Sequence, residues 1–171
     1  MKDLSRRIRN IPDFPKKGIL FRDITPLLHD SESFREAVHI LSDKYRNEEI
    51  DLVVSAEARG FILGACLAYK LGVGFVPVRK PGKLPYEVEK ATYELEYGED
   101  ALEMHRDAVR EGDRVLVFDD LLATGGTARA ICQLVEKPGG KVAGICFLIE
   151  LTSLKGRGKI KDYPVFSLIK Y

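Results

Sequence analysis

The sequence predicts an α/β fold: an open, mostly parallel twisted sheet flanked by helices. Three observations carry this. Short apolar runs near 51–55, 74–78, 114–118 and 142–151 alternate with helical patterns, the signature of βαβ units on a parallel sheet. The run Arg114-Val115-Leu116-Val117-Phe118 is continuously apolar, as a central strand covered on both faces must be. A composition of 45% hydrophobic residues at a net charge of +1 supplies enough apolar surface to offset the ordering entropy of a folded chain.

In chain order, the first 30 residues are punctuated by Pro12, Pro15, Gly18 and Pro26 and read as mostly irregular. A helix is predicted from about Ser33. Ser33 and Glu36 have capping-box spacing, and Phe34, Ala37, Val38, Leu41 and Tyr45 fall on one face. A buried strand at 51–55, a turn at Glu57-Ala58-Arg59-Gly60 and an apolar helix at 61–71 follow. The strand at 74–78 carries Pro77, which points to an edge or a strand end. Residues 79–91 are rich in Lys, Gly, Pro and Glu. Beyond them Tyr93, Leu95 and Tyr97 alternate with Glu94 and Glu96, and Leu102 and Met104 with Glu103 and His105, around Gly98-Glu99-Asp100. That is a hairpin with one wet face. An isolated hairpin is marginally stable, so 81–105 is expected to be a mobile flap. The strand at 114–118 then leads through a turn at 119–125 into a helix reaching Val135, and 142–151 forms another strand. No repeat or linker divides the chain, so 1–171 reads as a single domain.

Lys and Arg number 27 against 26 Asp and Glu, which gives no footprint for nucleic acid or an acidic membrane. Cys66, Cys132 and Cys146 are far apart, odd in number and without metal spacing. They read as small buried hydrophobes of a reducing compartment. The stretch Met1 to Arg7 lacks the apolar core of a signal peptide, and the apolar stretch 60–78 contains Lys70, Gly72, Gly74 and Pro77, so a cytoplasmic location is expected. His29, His39 and His105 have neither triad nor metal spacing.

The most informative segment is Val115-Leu116-Val117-Phe118-Asp119-Asp120-Leu121-Leu122-Ala123-Thr124-Gly125-Gly126-Thr127. It is a buried strand ending in two carboxylates, then a small-residue loop that opens a helix. Backbone N–H groups at 124–127, two threonine hydroxyls and the positive end of the helix dipole make a phosphate cradle. Carboxylates at a strand's C-terminal end suit sugar hydroxyls. No Lys follows the glycines as in a Walker A loop, and the GxGxxG fingerprint is absent. Taken singly, Arg59, Arg79 and Lys83 read as solvated surface charges, and only as a cluster flanked by Gly and Pro do they favour an anion; Phe21 and Leu154 read equally well as core residues.

The thirteen-residue run resembles the signature of type I phosphoribosyltransferases, which bind 5-phosphoribosyl 1-diphosphate (PRPP). Other segments narrow the resemblance to the family's adenine phosphoribosyltransferase branch. They are Asp13-Phe14-Pro15, the run from Gly18 to Pro26, Glu57-Ala58-Arg59-Gly60-Phe61, the run from Arg79 to Pro85, Tyr93-Glu94-Leu95-Glu96-Tyr97-Gly98, and the run from Glu150 to Arg157. The resemblance covers nearly the whole chain in order.

It implies a type I phosphoribosyltransferase fold with a small hood, formed by residues 1–30 and parts of the C-terminal region, that binds the base. It implies that Ala123, Thr124, Gly125, Gly126 and Thr127 hold the 5′-phosphate and Asp119 and Asp120 the ribose hydroxyls. Arg59, Arg79 and Lys83 become pyrophosphate ligands, and in this family such a cation can come from a neighbouring subunit. Phe21 and Leu154 sandwich adenine, while backbone groups at Leu20 and Arg22 read its edge. Glu103 falls where the family has its catalytic Glu; by spacing alone it reads as a solvated strand residue, as Glu94, Glu96 or Glu99 equally do. The Glu57–Ala58 peptide is expected to be cis. Mg²⁺ is the implied cofactor, held mainly through PRPP and water with no direct protein ligand, and a homodimer the implied assembly. Pro138 departs from the family's usual Leu and should end its helix early. The implied activity is purine salvage: adenine plus PRPP giving AMP and pyrophosphate. A 6-oxopurine or xanthine transferase and a PRPP-sensing regulator of the same fold are the alternatives.

Overall fold

The computed structural model of the chain describes residues 3–94 and 99–171. The chain falls into two units, Met1–Ile40 and Leu41–Tyr171.

The first unit is more regular than its prolines suggest. After a 3-10 turn at Leu4–Arg7, strands β1 (Arg9–Pro12) and β2 (Leu20–Asp23) pair antiparallel, from Arg9 opposite Asp23 to Pro12 opposite Leu20. Each strand has only four residues, so neither carries a readable period. The connecting loop is closed by the Asp13 carboxylate, which accepts the Gly18 N–H at 2.7 Å. The Phe14–Pro15 peptide is cis, and the Phe14 ring meets Phe21 edge-on at 5.1 Å. Asp23 ties the hairpin to helix α1 (Thr25–His29). It accepts from the Thr25 hydroxyl and N–H and from Arg9 at 2.6 Å, and the Thr25 hydroxyl above all brings its carboxyl down to about 2. Helix α2 (Ser31–Tyr45) starts before Ser33, because Asp30 supplies the cap by accepting the Ser33 N–H at 2.8 Å. On its predicted apolar face Ala37, Leu41 and Tyr45 are buried.

The second unit holds β3 (Leu52–Ala56), α3 (Arg59–Leu71), β4 (Gly74–Val78), β5 (Val88–Glu94), β6 (Glu99–His105), β7 (Arg114–Leu122), α4 (Gly126–Glu136), β8 (Lys141–Glu150) and β9 (Val165–Lys170). Five strands pair in the order β4-β3-β7-β8-β9, every pair parallel. This is the predicted fold class. β4 is an edge, where Pro77 withholds no needed ladder N–H. β7 is central, and Val115 to Phe118 are fully buried. β7 does not stop at Phe118: it continues to pair with β8 as far as Leu122 opposite Glu150, so Asp119 and Asp120 are strand residues and the predicted turn begins only at Ala123. α4 ends at Glu136, two residues before Pro138. β9, preceded by two short 3-10 turns at Thr152–Leu154 and Gly156–Ile160, has no strong sequence signal.

The β5–β6 hairpin keeps the wet face that its alternation predicts only on β5, where Lys90 and Thr92 are exposed. Leu102, Met104 and Ala91 join the core with Ile131, Leu134 and Val135 of α4. Ala101 and Glu103 on the other side are buried as well, because Arg79 and Glu103 exchange backbone hydrogen bonds of 2.9 and 2.7 Å, which covers that side of β6. Leu95, Glu96, Tyr97 and Gly98, to which the alternation and turn were also assigned, lie outside the described residues. Cys132 and Cys146 are buried, and burial pushes both thiols up to about 12, out of reach of nucleophilic chemistry. Among the described residues no helix is long and apolar enough to cross a membrane.

Candidate active site

In a parallel sheet the helices that follow the strands begin at the strands' C-terminal edge. α3 follows β3 and α4 follows β7, and neither has a side-chain cap: Ala58 precedes α3 and Gly125 precedes α4. Two helix N-termini without a side-chain cap, each at the positive end of a helix dipole, therefore open beside the same edge. They are two seats for anions.

The seat at α4 is a cavity of about 60 Å³ lined by the residues from Leu121 to Ala128. Ala123, Thr124, Gly125, Gly126 and Thr127, predicted as a phosphate loop, all line it. Gly125 has φ +82°, and a side-chain carbon there would stand 2.4 Å from the Gly156 carbonyl oxygen. Conversely, one at Gly156 would stand 2.2 Å from the Ala123 carbonyl oxygen. The phosphate loop and the loop around Gly156 therefore touch backbone to backbone.

The seat at α3 adjoins the carboxylate pair. Arg59, the first residue of α3, brings Nε to 2.9 Å from Asp120 Oδ2, as an ion pair rather than an aligned hydrogen bond. Asp119 Oδ1 accepts the Asp120 N–H at 2.9 Å. Burial raises the pKa of both carboxyls, the neighbouring Asp120 charge raises Asp119 further, and Arg59 opposes the shift in both. Two buried carboxylates side by side are short of donors. Sugar hydroxyls or the water shell of a hard cation would supply them. Gly60 lets the α3 backbone press into this spot, since a side-chain carbon there would lie 2.6 Å from Ser55 Oγ and 2.9 Å from Asp119 Oδ1.

Next come the basic residues. The Glu57–Ala58 peptide is cis. Glu57, to which the sequence reading gave no role, proves to be the hub of this region. Its carboxylate accepts the Lys80 N–H at 2.6 Å and Lys83 Nζ at 2.7 Å, with Arg79 Nη2 at 3.6 Å. Burial raises its pKa, but those partners together outweigh burial and hold the carboxyl below the usual range. The available signal was an acid quoted beside Arg59 in a loop expected to bind an anion. Arg79 and Lys83 are thus brought together around an anion of the chain itself.

Glu103 is buried on β6, and its Oε2 accepts the Gly82 N–H at 3.0 Å. Leu154 stands exposed on the 3-10 turn Thr152–Leu154. The segment after it is anchored by Arg157, which donates two hydrogen bonds of 2.7 and 2.8 Å to the Glu150 carboxylate. Leu20, Phe21 and Arg22 lie together on β2 of the first unit. Leu20 is exposed, Phe21 is half-buried and Arg22 donates to Asn10 Oδ1. Among the described residues no group of three or more His, Cys, Asp or Glu side chains is placed to hold a metal ion.

A model of the phosphoribosyl transferase domain matches residues 24–170. The adenine phosphoribosyltransferase of Thermotoga petrophila is 57% identical over 169 residues, 99% of each chain. The crystal structure of adenine phosphoribosyltransferase from Thermoanaerobacter pseudethanolicus superposes with a TM-score of 0.97 at 57% identity, covering 99% of this chain and 98% of that one. The Saccharomyces cerevisiae enzyme, solved with adenine and an imino-altritol bisphosphate, gives a TM-score of 0.91 at 43% identity, covering 97% and 96%. With this fold and two anion seats flanking a carboxylate pair, the chain belongs to the phosphoribosyltransferase family, in its adenine phosphoribosyltransferase branch.

Proposed function

We infer that the chain transfers the 5-phosphoribosyl group from PRPP to adenine, giving AMP and pyrophosphate in purine salvage. The observation that carries this reading is the pair of uncapped helix N-termini on either side of Asp119 and Asp120, in a chain 57% identical to adenine phosphoribosyltransferases. A ribose with a phosphate at one end and a diphosphate at the other calls for such an arrangement.

In this reading Ala123 to Thr127 hold the 5′-phosphate by backbone N–H groups and hydroxyls. Asp119 and Asp120 accept the ribose hydroxyls, and Arg59, Arg79 and Lys83 neutralise the diphosphate as it leaves. Backbone groups at Leu20 and Arg22 recognise the base edge, the Phe21 ring stacks on it, and Leu154 offers it an apolar contact. Adenine donates through its N6 amine and accepts at N1, which suits one C=O and one N–H; a 6-oxopurine reverses both roles. The base nitrogen attacks the anomeric carbon as the bond to diphosphate breaks, so no activated Ser or Cys is required. Glu103 takes the proton that the base loses, or stabilises the charge that develops there.

Magnesium fits this site. Asp120 Oδ2 lacks an aligned donor beside a second carboxylate, a setting suited to the waters of a hydrated hard cation, so Asp119 and Asp120 would hold Mg²⁺ through water. Once bound with PRPP, the ion supplies electrostatic neutralisation of the diphosphate. A homodimer is the proposed assembly: α3 turns Ile62 and Tyr69 outward, 42% and 86% exposed, an apolar side suited to a second copy. A cytoplasmic location is proposed on the three unpaired cysteines.

Turnover of adenine against hypoxanthine, guanine and xanthine tests the assignment. Adenine is expected to exceed the others by at least about 10²-fold; preference for an oxopurine, or no turnover with any base, overturns it. The hairpin is proposed to close over bound substrates. Hydrogen exchange across 81–105 is expected to slow when PRPP and an inert adenine analogue are added, and equal protection with and without ligand rejects closure.

A further inference from the structure

The basic loop after β4 is not waiting open. Glu57 sits at the turn between β3 and α3, with its side chain 12% exposed, and gathers three donors from residues 79–83: the Lys80 N–H, Lys83 Nζ and, more distantly, Arg79 Nη2. Arg79 also donates to the Lys83 carbonyl oxygen at 3.4 Å, and its Nε is buried without a partner. The cations assigned to diphosphate therefore converge on a carboxylate that precedes the uncapped N-terminus of α3 by two residues.

We propose that Glu57 is a built-in stand-in for the leaving diphosphate: its carboxylate holds Lys83 and Arg79 in place between turnovers and surrenders them when diphosphate arrives. This rests on the reading of Arg79 and Lys83 as diphosphate ligands. Without an anion among them, these cations would repel one another and spread into solvent, and each binding event would have to order them again. With Glu57 present they are pre-assembled. The cost is competition, since an incoming diphosphate must displace a carboxylate before it gains the same two side chains. That competition weakens retention of pyrophosphate after the ribosyl group has moved, and so favours its release. The Lys80 N–H bond to Glu57 is a backbone contact and leaves the carboxylate anchored while Lys83 swings away.

The test is direct binding of inorganic pyrophosphate with Mg²⁺, measured by calorimetry on the full chain. Glu57→Gln keeps the shape and removes the competing charge, so pyrophosphate is expected to bind about fivefold tighter, with the adenine KM unchanged. Unchanged or weaker pyrophosphate binding in a folded Glu57→Gln protein overturns the proposal. Glu57→Asp, which draws the carboxylate back from Lys83, is expected to shift affinity in the same direction and serves if the Gln variant does not fold. Lys83→Gln separates this proposal from the reading beneath it. If Lys83→Gln weakens pyrophosphate binding while Glu57→Gln fails to tighten it, the diphosphate assignment stands and the stand-in role falls. If Lys83→Gln leaves affinity unchanged, the assignment falls and takes the proposal with it. In the double variant the gain from removing Glu57 is expected to vanish.

Discussion

Glu103→Gln is expected to lower kcat by about 10²–10⁴-fold while changing the PRPP KM little. The substitution preserves shape and the ability to accept the Gly82 N–H, and removes only the charge and the basic oxygen. A uniform binding residue would instead raise KM and spare kcat. The buried placement of Glu103 strengthens the case, because in a covered position the carboxylate acts with little competition from water. Steady-state kinetics with both substrates varied is the check. Near-wild-type turnover would mean that the enzyme works by positioning alone.

The second large effect is expected at the carboxylate pair. Replacing Asp119 and Asp120 together by Asn should raise the PRPP KM by about 10²-fold, because both ribose acceptors lose their charge. The fold should survive. Burial raises both carboxyl pKa values and the Asp120 charge raises Asp119 further, so ionising them costs stability as pH rises through the folded values, and that cost is absent below the ordinary carboxylate range. Removing the charges should therefore leave the thermal midpoint at neutral pH unchanged or higher. A large loss of thermal stability, or unaltered PRPP kinetics, would contradict the assignment.

The sheet was legible because its signals are local and strong. The strand at the centre is apolar on both faces, Pro77 marks an edge, and the glycines of the phosphate loop sit where a strand turns into a helix. What escaped depends on distant partners. β1 and β2 are four residues each, too short to carry a period, and only their pairing and the Asp23 network make them strands. Glu103 read as a solvated position because alternation along β6 says nothing of Arg79, which approaches from another part of the chain. Glu57 has no role legible from the pattern, since an acid among expected anion ligands makes sense only when the basic loop is folded onto it. Among the candidate site residues, Asp119, Asp120 and the loop from Ala123 to Thr127 were readable from pattern, whereas the roles proposed for Phe21, Arg59, Arg79, Lys83, Glu103 and Leu154 needed the family resemblance.

The contact between Gly125 and Gly156 limits how such an enzyme can diversify. Each glycine leaves no room for a methyl group on the other's loop, so the two loops can only be redesigned together. Leu154 lies two residues before Gly156, on the same short segment whose far end Glu150 and Arg157 lock. Remodelling 152–158 would therefore shift the Ala123–Gly125 loop with it, and on the proposed roles a change made there for the base would be felt by every ribosyl donor.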